Sequence, residues 1–390
     1  MADLAGAAAA GFGIIVMGAQ PKLDATQSTP LAAVLNQRIA RDGPISVHDY
    51  MAACLADRSA GYYATRQPIG KDGDFITAPE VSQMFGELIG VWCATLWQTM
   101  GEPRAVTVAE LGPGRGTLMA DALRAWRSVP KLLDSMSIAL IETSPVLCET
   151  QSRTLRGCPA PLRWYESIEA VPHGPLIVIA NEFIDALPVR QMVRQRGVWH
   201  ERCVTIDDRG AFAFCAGQAI DRDALPSPVR GMDAADGAII ETRPAAASLL
   251  SALAARAKQA PVAALIADYG HDMTGPGDTL QAVRQHRFAD PLALPGEADL
   301  TAHVDFAALE ETATSLGLGA YGPMPQGEFL LRLGLAARCD SLLRNATGAQ
   351  RVAVMSGAAR LADPRQMGLL FKVLVLQSSG LAPPPPFGDS

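Results

Sequence analysis

The sequence predicts an α/β fold built on a mostly parallel sheet with helices on both faces. Three observations predict it. Val106 to Leu118, VTVAELGPGRGTL, reads as a buried strand ending in an acid, then a tight glycine turn and a helix start. Apolar strand-like runs recur at Ile138–Glu142, Leu162–Tyr165, Leu176–Ala180 and Ala263–Tyr269. Helical stretches such as Pro145–Leu155 separate them, and that alternation places crossover helices over the sheet.

The elements follow in order. Residues 1–30 read as a disordered segment or a surplus extension, with Met17 as an alternative start. Leu4 to Ala19 is apolar but shorter than the roughly 20 residues of a membrane span. The first arginine is Arg38, so neither a signal peptide nor an Arg-rich transit peptide is indicated. A bacterial cytoplasmic location is therefore expected, and no transit peptide supports a mitochondrial matrix one. Residues 31–105 form a helical N-terminal region: Leu31–Arg41, Val47–Leu55 after the cap Ser46, and Ser82–Met100. Residues 106–377 hold the core, with insertions at about 189–260 and 326–365. In the first insertion, Arg-Gly and Asp-Asp-Arg-Gly turns separate strand-like runs, as an antiparallel segment requires. Arg243–Ala257 and Phe329–Leu343 read as helices, and Gly368–Gln377 as the last strand. Residues 378–390, with four successive prolines, read as a disordered tail.

The chain has 390 residues, enough for one large domain with insertions or for two domains. Net charge is −7 with no Lys/Arg run, which argues against a nucleic-acid partner. The seven cysteines form no C-x-x-C pair and are scattered through apolar segments, so they read as reduced packing thiols. No two of the six histidines stand at i, i+4. His303-Val-Asp305 reads as structural rather than as a metal pair, and no metal is implied.

The glycine turn carries the chemistry. Gly112, Gly114 and Gly116 allow positive φ and close backbone approach, and Thr117 opens a helix whose first N–H groups are unpaired. A dinucleotide site requires G-x-G-x-x-G. Here the spacing is G-x-G-x-G, with Glu110 two residues before the first glycine. An acid there repels phosphate and suits a cation, such as the amino and sulfonium groups of S-adenosylmethionine. Glu142 ends the next strand, where an acid accepts ribose hydroxyls; alternatively it is the first-turn acid of the following helix.

Seven ordered blocks resemble a known family. They are GYYATRQPIGKDGDFITAPEVSQMFGE (61–87), ELGPGRGTLMADALR (110–124), IETSP (141–145), ANEFIDALPV (180–189), ADYGH (267–271), PGEADLTAHVDF (295–306) and QGEFLLRLG (326–334). Together they resemble the class I S-adenosylmethionine-dependent methyltransferases of the MidA-like type, related to mitochondrial complex I assembly factor seven. The match covers roughly residues 35 to 377. The resemblance implies a seven-stranded, Rossmann-like fold, S-adenosyl-L-methionine as cofactor and protein arginine methylation. It also implies a quinone-side complex I subunit as substrate and an assembly-factor role.

Arginine is a poor nucleophile, and a site for it needs carboxylates that hold the guanidinium bidentately. Glu182 and Asp185, after the strand Leu176–Ala180 and three residues apart on one turn, are the catalytic candidates. Asn181 sits where related methyltransferases place a polar residue. Phe183 shields the sulfonium, stacks on the guanidinium or is core. An ordinary strand-to-helix junction capped by Asn181 and Asp185 is the bland alternative. Gly70 to Glu80 is a loop, in which Gly73, Asp74, Phe75 and Thr77 close over the cofactor with Pro79 starting the next helix, or simply a surface loop. Tyr269 and His271 line the acceptor side or pack. Two rival classes remain: a cofactor-binding assembly chaperone with little turnover, and an NAD-dependent oxidoreductase. A small-molecule N- or O-methyltransferase is the enzymatic alternative. The expected partners are a protein substrate, no nucleic acid and no membrane span; a homodimer stays open.

Overall fold

The computed structural model describes residues 29–65 and 77–388. Seven strands form the main sheet: β1 (Val106–Leu111), β2 (Met136–Ile141), β3 (Leu162–Tyr165), β4 (Leu176–Asn181), β5 (Val262–His271), β6 (Leu318–Pro325) and β7 (Phe371–Ser378). Their spatial order is β6-β7-β5-β4-β1-β2-β3, and an eighth, short strand, Val304–Asp305, pairs in parallel with the end of β5. β1 to β5 pair in parallel, whereas β7 runs antiparallel between β5 and β6. Side chains alternate across the sheet, so Val106 and Val108 join one apolar layer and Ala109 and Leu111 the other. Both faces are thereby buried, as the apolar strand runs demand. The chain runs from β1 to β2 on one side and returns to β4 on the other. That reversal opens a crevice beyond the carboxyl ends of these strands.

Two helices fix the crevice's floor. In Thr117–Trp126, Leu118, Met119, Ala122, Leu123 and Trp126 are buried. Helix Gln83–Thr99 lies against it at glycine distance: a Cβ on Gly86 would come within 2.9 Å of the Leu118 carbonyl oxygen, and one on Gly90 within 2.8 Å of Ala122 Cα. The Trp126 indole closes the contact by donating to the Gly90 carbonyl at 2.7 Å.

Several boundaries differ from the sequence reading. Residues 1–28 of the expected N-terminal extension lie outside the described residues, but Pro30 already belongs to helix Pro30–Asp42, which Thr29 caps. The single helix expected at Phe329–Leu343 is two, Gln326–Arg332 and Leu335–Leu343, because Gly334 takes φ +98° between them. The last strand starts at Phe371 after the short helix Met367–Leu370. The tail is packed rather than loose through residue 388. Trp92 donates to the Pro385 carbonyl at 2.9 Å, Gln377 to the Ala382 carbonyl at 2.9 Å, and Phe387 meets Tyr321 and Phe329. Proline removes donors but leaves carbonyls and an apolar ring to pack.

The segment after β4 is antiparallel: Arg190–Gln195, Val198–Ile206, Phe212–Ala219 and Ile239–Thr242. Ile45–Ser46 from the N-terminal region adds a strand to it. Helix Pro244–Ala257 belongs to the core, not to this insertion, and buries Ala246, Leu250, Leu253 and Ala254. A third small sheet, Gln281–Arg284, Arg287–Ala289 and Asp299–Thr301, was not anticipated.

Candidate active site

The register aligns four strand ends. Leu111 of β1 stands opposite Ile141 of β2 and Ala180 of β4, and Asn181 opposite Ala267 of β5. Glu110, Glu142, Asn181 and Asp268 therefore reach one edge of the sheet.

On the cofactor side, Gly112, Gly114 and Gly116 all take positive φ, at +58°, +54° and +80°. Side chains avoid that region at about 1–2 kcal/mol per residue. Phe183 lies across the turn: a Cβ on Gly112 would approach its Cδ2 to 2.9 Å. Glu110 is buried, and its Oε2 has no hydrogen-bond partner among the described residues. Burial pushes its carboxyl up to about 8. A lone buried carboxylate beside a glycine turn fits a cationic ligand, which would satisfy the orphan oxygen and favour its charged form.

Glu142 follows β2 and does two jobs. Its Oε1 accepts the N–H groups of Thr143 at 2.9 Å and Ser144 at 2.8 Å, as the first-turn reading expects. Its Oε2 accepts from the Gln151 amide at 3.1 Å and stays at the crevice edge. Burial raises its pKa, against those donors. Gln151, which the sequence reading missed, is fully buried and also donates to the Gly114 carbonyl at 2.9 Å, while its own oxygen accepts from Trp164 at 2.8 Å. It braces the glycine turn against Glu142. Thr117, first in its helix, donates to Glu80 at 2.5 Å, and Arg115 stands 3.9 Å from the same carboxylate. The only local signal for Gln151 was its helical spacing from Ser144 and Leu147, which many core residues share.

Beyond β4, the expected helical turn is absent. The backbone from 182 to 188 bends and turns, and Glu182 takes φ +49°. The next regular element is the strand Arg190–Gln195, not a crossover helix, so three-residue helical spacing does not bring Glu182 and Asp185 together. Hydrogen bonds to β5 do: the Glu182 N–H donates to the Ala267 carbonyl at 2.8 Å, while the Ile184 and Asp185 N–H groups donate to the Asp268 side-chain Oδ2. Non-glycine residues held at positive φ are strained, and such positions concentrate at functional sites. Glu182 Oε1 accepts the Ala78 N–H at 2.7 Å and the Asn181 amide at 3.3 Å, and burial pushes its carboxyl up to about 7. Asn181 Oδ1 and Asp185 Oδ1 are buried with no partner among the described residues. Burial raises Asp185, opposed by the Tyr269 hydroxyl and the Arg243 charge, which favour its ionised form.

Tyr269 is buried, edge-on to His303 with ring centroids 5.5 Å apart, and faces this cluster. His271 instead turns its Nδ1 to the Met273 carbonyl at 2.8 Å. Asp305 caps the helix Phe306–Ser315 through the Ala308 N–H, so the His303–Asp305 pair serves packing and capping. Gly73, Asp74 and Phe75 lie outside the described residues. Thr77 occupies the N-cap position of helix Ala78–Val81 without a side-chain bond, and Pro79 sits in its first turn. Tyr63, not foreseen, donates to both Asp299 oxygens at 3.0 and 3.1 Å.

Known proteins resemble the chain over most of its length. Residues 88–324 match the model of a family described as S-adenosyl-L-methionine-dependent methyltransferases. The chain is 36% identical over 372 residues to a Xenopus laevis protein named "Protein arginine methyltransferase NDUFAF7, mitochondrial", covering 88% of this chain and 84% of that one. It is 35% identical to the Homo sapiens protein of the same name, covering 89% and 83%. Among solved structures, a Burkholderia thailandensis protein bound to S-adenosyl-homocysteine superposes with a TM-score of 0.79 at 30% identity, covering 90% of this chain and 92% of that one.

Proposed function

The chain belongs to the S-adenosyl-L-methionine-dependent methyltransferases, and from that premise we propose that it methylates an arginine side chain of a protein. The observation that carries the acceptor is the set of buried oxygens after β4. Asn181 Oδ1 and Asp185 Oδ1 need donors beside the Glu182 carboxylate, and a guanidinium offers five N–H groups in a planar fork. A hydroxyl nucleophile has a single donor and would leave at least one of them unpaired, at about 1–3 kcal/mol.

The cofactor supplies an electrophilic methyl group. Residues of the chain do the rest. Glu110 and the turn Gly112–Gly116 hold the cofactor's cationic end, and Glu142 its ribose. Glu182 and Asp185 grip the guanidinium, and Asn181 orients one of its nitrogens. As that nitrogen gains a methyl group it loses a proton. The Glu182 carboxylate, pushed up to about 7, is suited to take it near neutral pH. Phe183, lying across the glycine turn, separates the two halves and keeps water from between them. In-line displacement asks for positioning and a dry site more than for covalent help.

The resemblance of the seven sequence blocks extends the reading to a respiratory complex I subunit as acceptor. The seven cysteines are all free, which fits a reducing compartment such as the cytoplasm. The test is transfer of labelled methyl from S-adenosylmethionine to a lysate, with mass spectrometry of the product. Label on an arginine supports the proposal. Label on a small molecule or on another side chain refutes the arginine reading and leaves the methyltransferase assignment.

A further inference from the structure

Two polar side chains outside the reaction, one buried and one half-buried, hold the loop that carries Asp185. From β5, Asp268 is 0% exposed and accepts three backbone N–H groups: Ile184 at 2.9 Å, Asp185 at 3.1 Å and its own neighbour Tyr269 at 2.9 Å. From the opposite side, Arg243, just before helix Pro244–Ala257, donates to four carbonyl oxygens. These are Leu187 at 3.2 Å, Asp185 at 3.2 Å, Ala302 at 2.6 Å and His303 at 2.9 Å. The Ala302 N–H returns to the Asp185 carbonyl at 3.1 Å. Both backbone groups of Asp185 are thus fixed, while its carboxylate Oδ1 has no partner among the described residues.

Arg243 and Asp268 form no direct ion pair. Each satisfies backbone groups of the same short loop, one its carbonyls and the other its amides. Only a planar fork with five donors reaches four carbonyls at once; an ammonium has three donors on one point.

We propose that Arg243 and Asp268 are positioning residues for methyl transfer, a two-sided clamp that presents Asp185 to the acceptor. The proposal rests on the reading of Asp185 as an acceptor-holding group. The clamp also sets the charge balance of the site. Asp185 shares its surroundings with Glu182 on its own loop, Asp268 and Tyr269 from β5, and Tyr63 from helix Tyr62–Thr65. The Arg243 guanidinium is the cation that favours Asp185 ionised among them.

The experiment is a double-mutant cycle on the full chain. Its readout is methyl transfer from tritiated S-adenosylmethionine to the protein that the wild-type chain labels in a lysate. Arg243→Lys keeps the charge and loses the fork, so transfer should fall on the order of 10- to 100-fold, as a misplaced reacting group costs. Affinity for S-adenosylhomocysteine should stay within about twofold, since the clamp touches no cofactor residue. Asp268→Asn should behave alike. In an Asp185→Asn background, or Asp185→Glu where transfer is too low to compare, Arg243→Lys should add little further loss, because it acts through Asp185. Transfer within about twofold of wild type overturns the clamp. So do full additivity and a parallel loss of S-adenosylhomocysteine binding. The product's identity is read separately: label on a residue other than arginine refutes the guanidinium reading, while these ratios still decide the clamp.

Discussion

Replacing Glu110 by Gln tests the cofactor side most sharply. The side chain keeps its shape and loses its ionisable proton. In the free protein, burial pushes the Glu110 carboxyl up to about 8, so near pH 7 the neutral form dominates. A cationic ligand beside it favours the ionised form, and binding then expels that proton. Two signatures follow for the wild type. S-adenosylmethionine affinity should rise by up to about tenfold per pH unit from roughly pH 6 to 8 and level off above. Near pH 7, binding should release close to one proton, read by titration calorimetry in two buffers of different ionisation heat. Glu110→Gln should flatten the pH dependence and abolish the release. The stability sign runs the other way. A carboxyl raised above its unfolded value near 4.5 stabilises the fold below that pH and loses the contribution as pH rises through about 8. The ligand-free Gln variant should therefore melt higher than wild type above pH 8. Equal proton release in both proteins, or none in the wild type, would refute the placement of a cation at Glu110.

Three further outcomes are expected. Glu182→Gln should leave S-adenosylhomocysteine affinity intact, lower methyl transfer, and erase the rise in rate through about pH 7 that an ionising Glu182 gives; near-normal transfer would sink its role. Gln151→Leu strips donors from the Gly114 carbonyl and Glu142 and an acceptor from Trp164, at about 1–3 kcal/mol per orphaned group. Cofactor affinity should drop at least tenfold and Trp164 fluorescence change; unaltered calorimetry would show that the brace is dispensable. Gly112→Ala meets both the Phe183 ring at 2.9 Å and a positive φ, so cofactor binding should weaken, and Phe183→Ala in the same chain should restore part of it. A double variant no better than the single would place the cost wholly in the backbone.

What the sequence made legible is what neighbours in the chain decide. The turn after β1 announces itself because acid, glycines and helix start fall within a few residues, and each has a local reason to be there. The strands were readable because both faces are buried and their runs are nearly uninterrupted. Gln151, Arg243 and Asp268 were opaque in their roles for the opposite reason. Arg243 reaches its carbonyls across 56 to 60 positions and Asp268 its amides across 83 and 84, apart from Tyr269 next to it. No periodicity records a contact of that span. The tail was misread because four prolines signal loss of regular structure, which does not preclude packing.

The expected helical turn after β4 fails for a reason that bears on the site itself. In a parallel sheet each strand normally runs into a crossover helix, which pairs the backbone groups of the junction. Here β4 runs into an antiparallel insertion, and the crossover helix Pro244–Ala257 begins more than fifty residues later. The loop 182–188 thus has no helix of its own to satisfy its N–H and carbonyl groups, and buried backbone groups require partners. Asp268 and Arg243 supply them from the next strand and from the entrance of the displaced helix. A loop held this way can keep Glu182 at positive φ and leave the Asp185 Oδ1 unpartnered, which a helical junction would not. On the proposed reading of this loop, the insertion and the acceptor site are one device. Restoring a direct β4-to-helix connection by deleting residues 190–242 should accordingly remove methyl transfer while the glycine turn still binds S-adenosylhomocysteine.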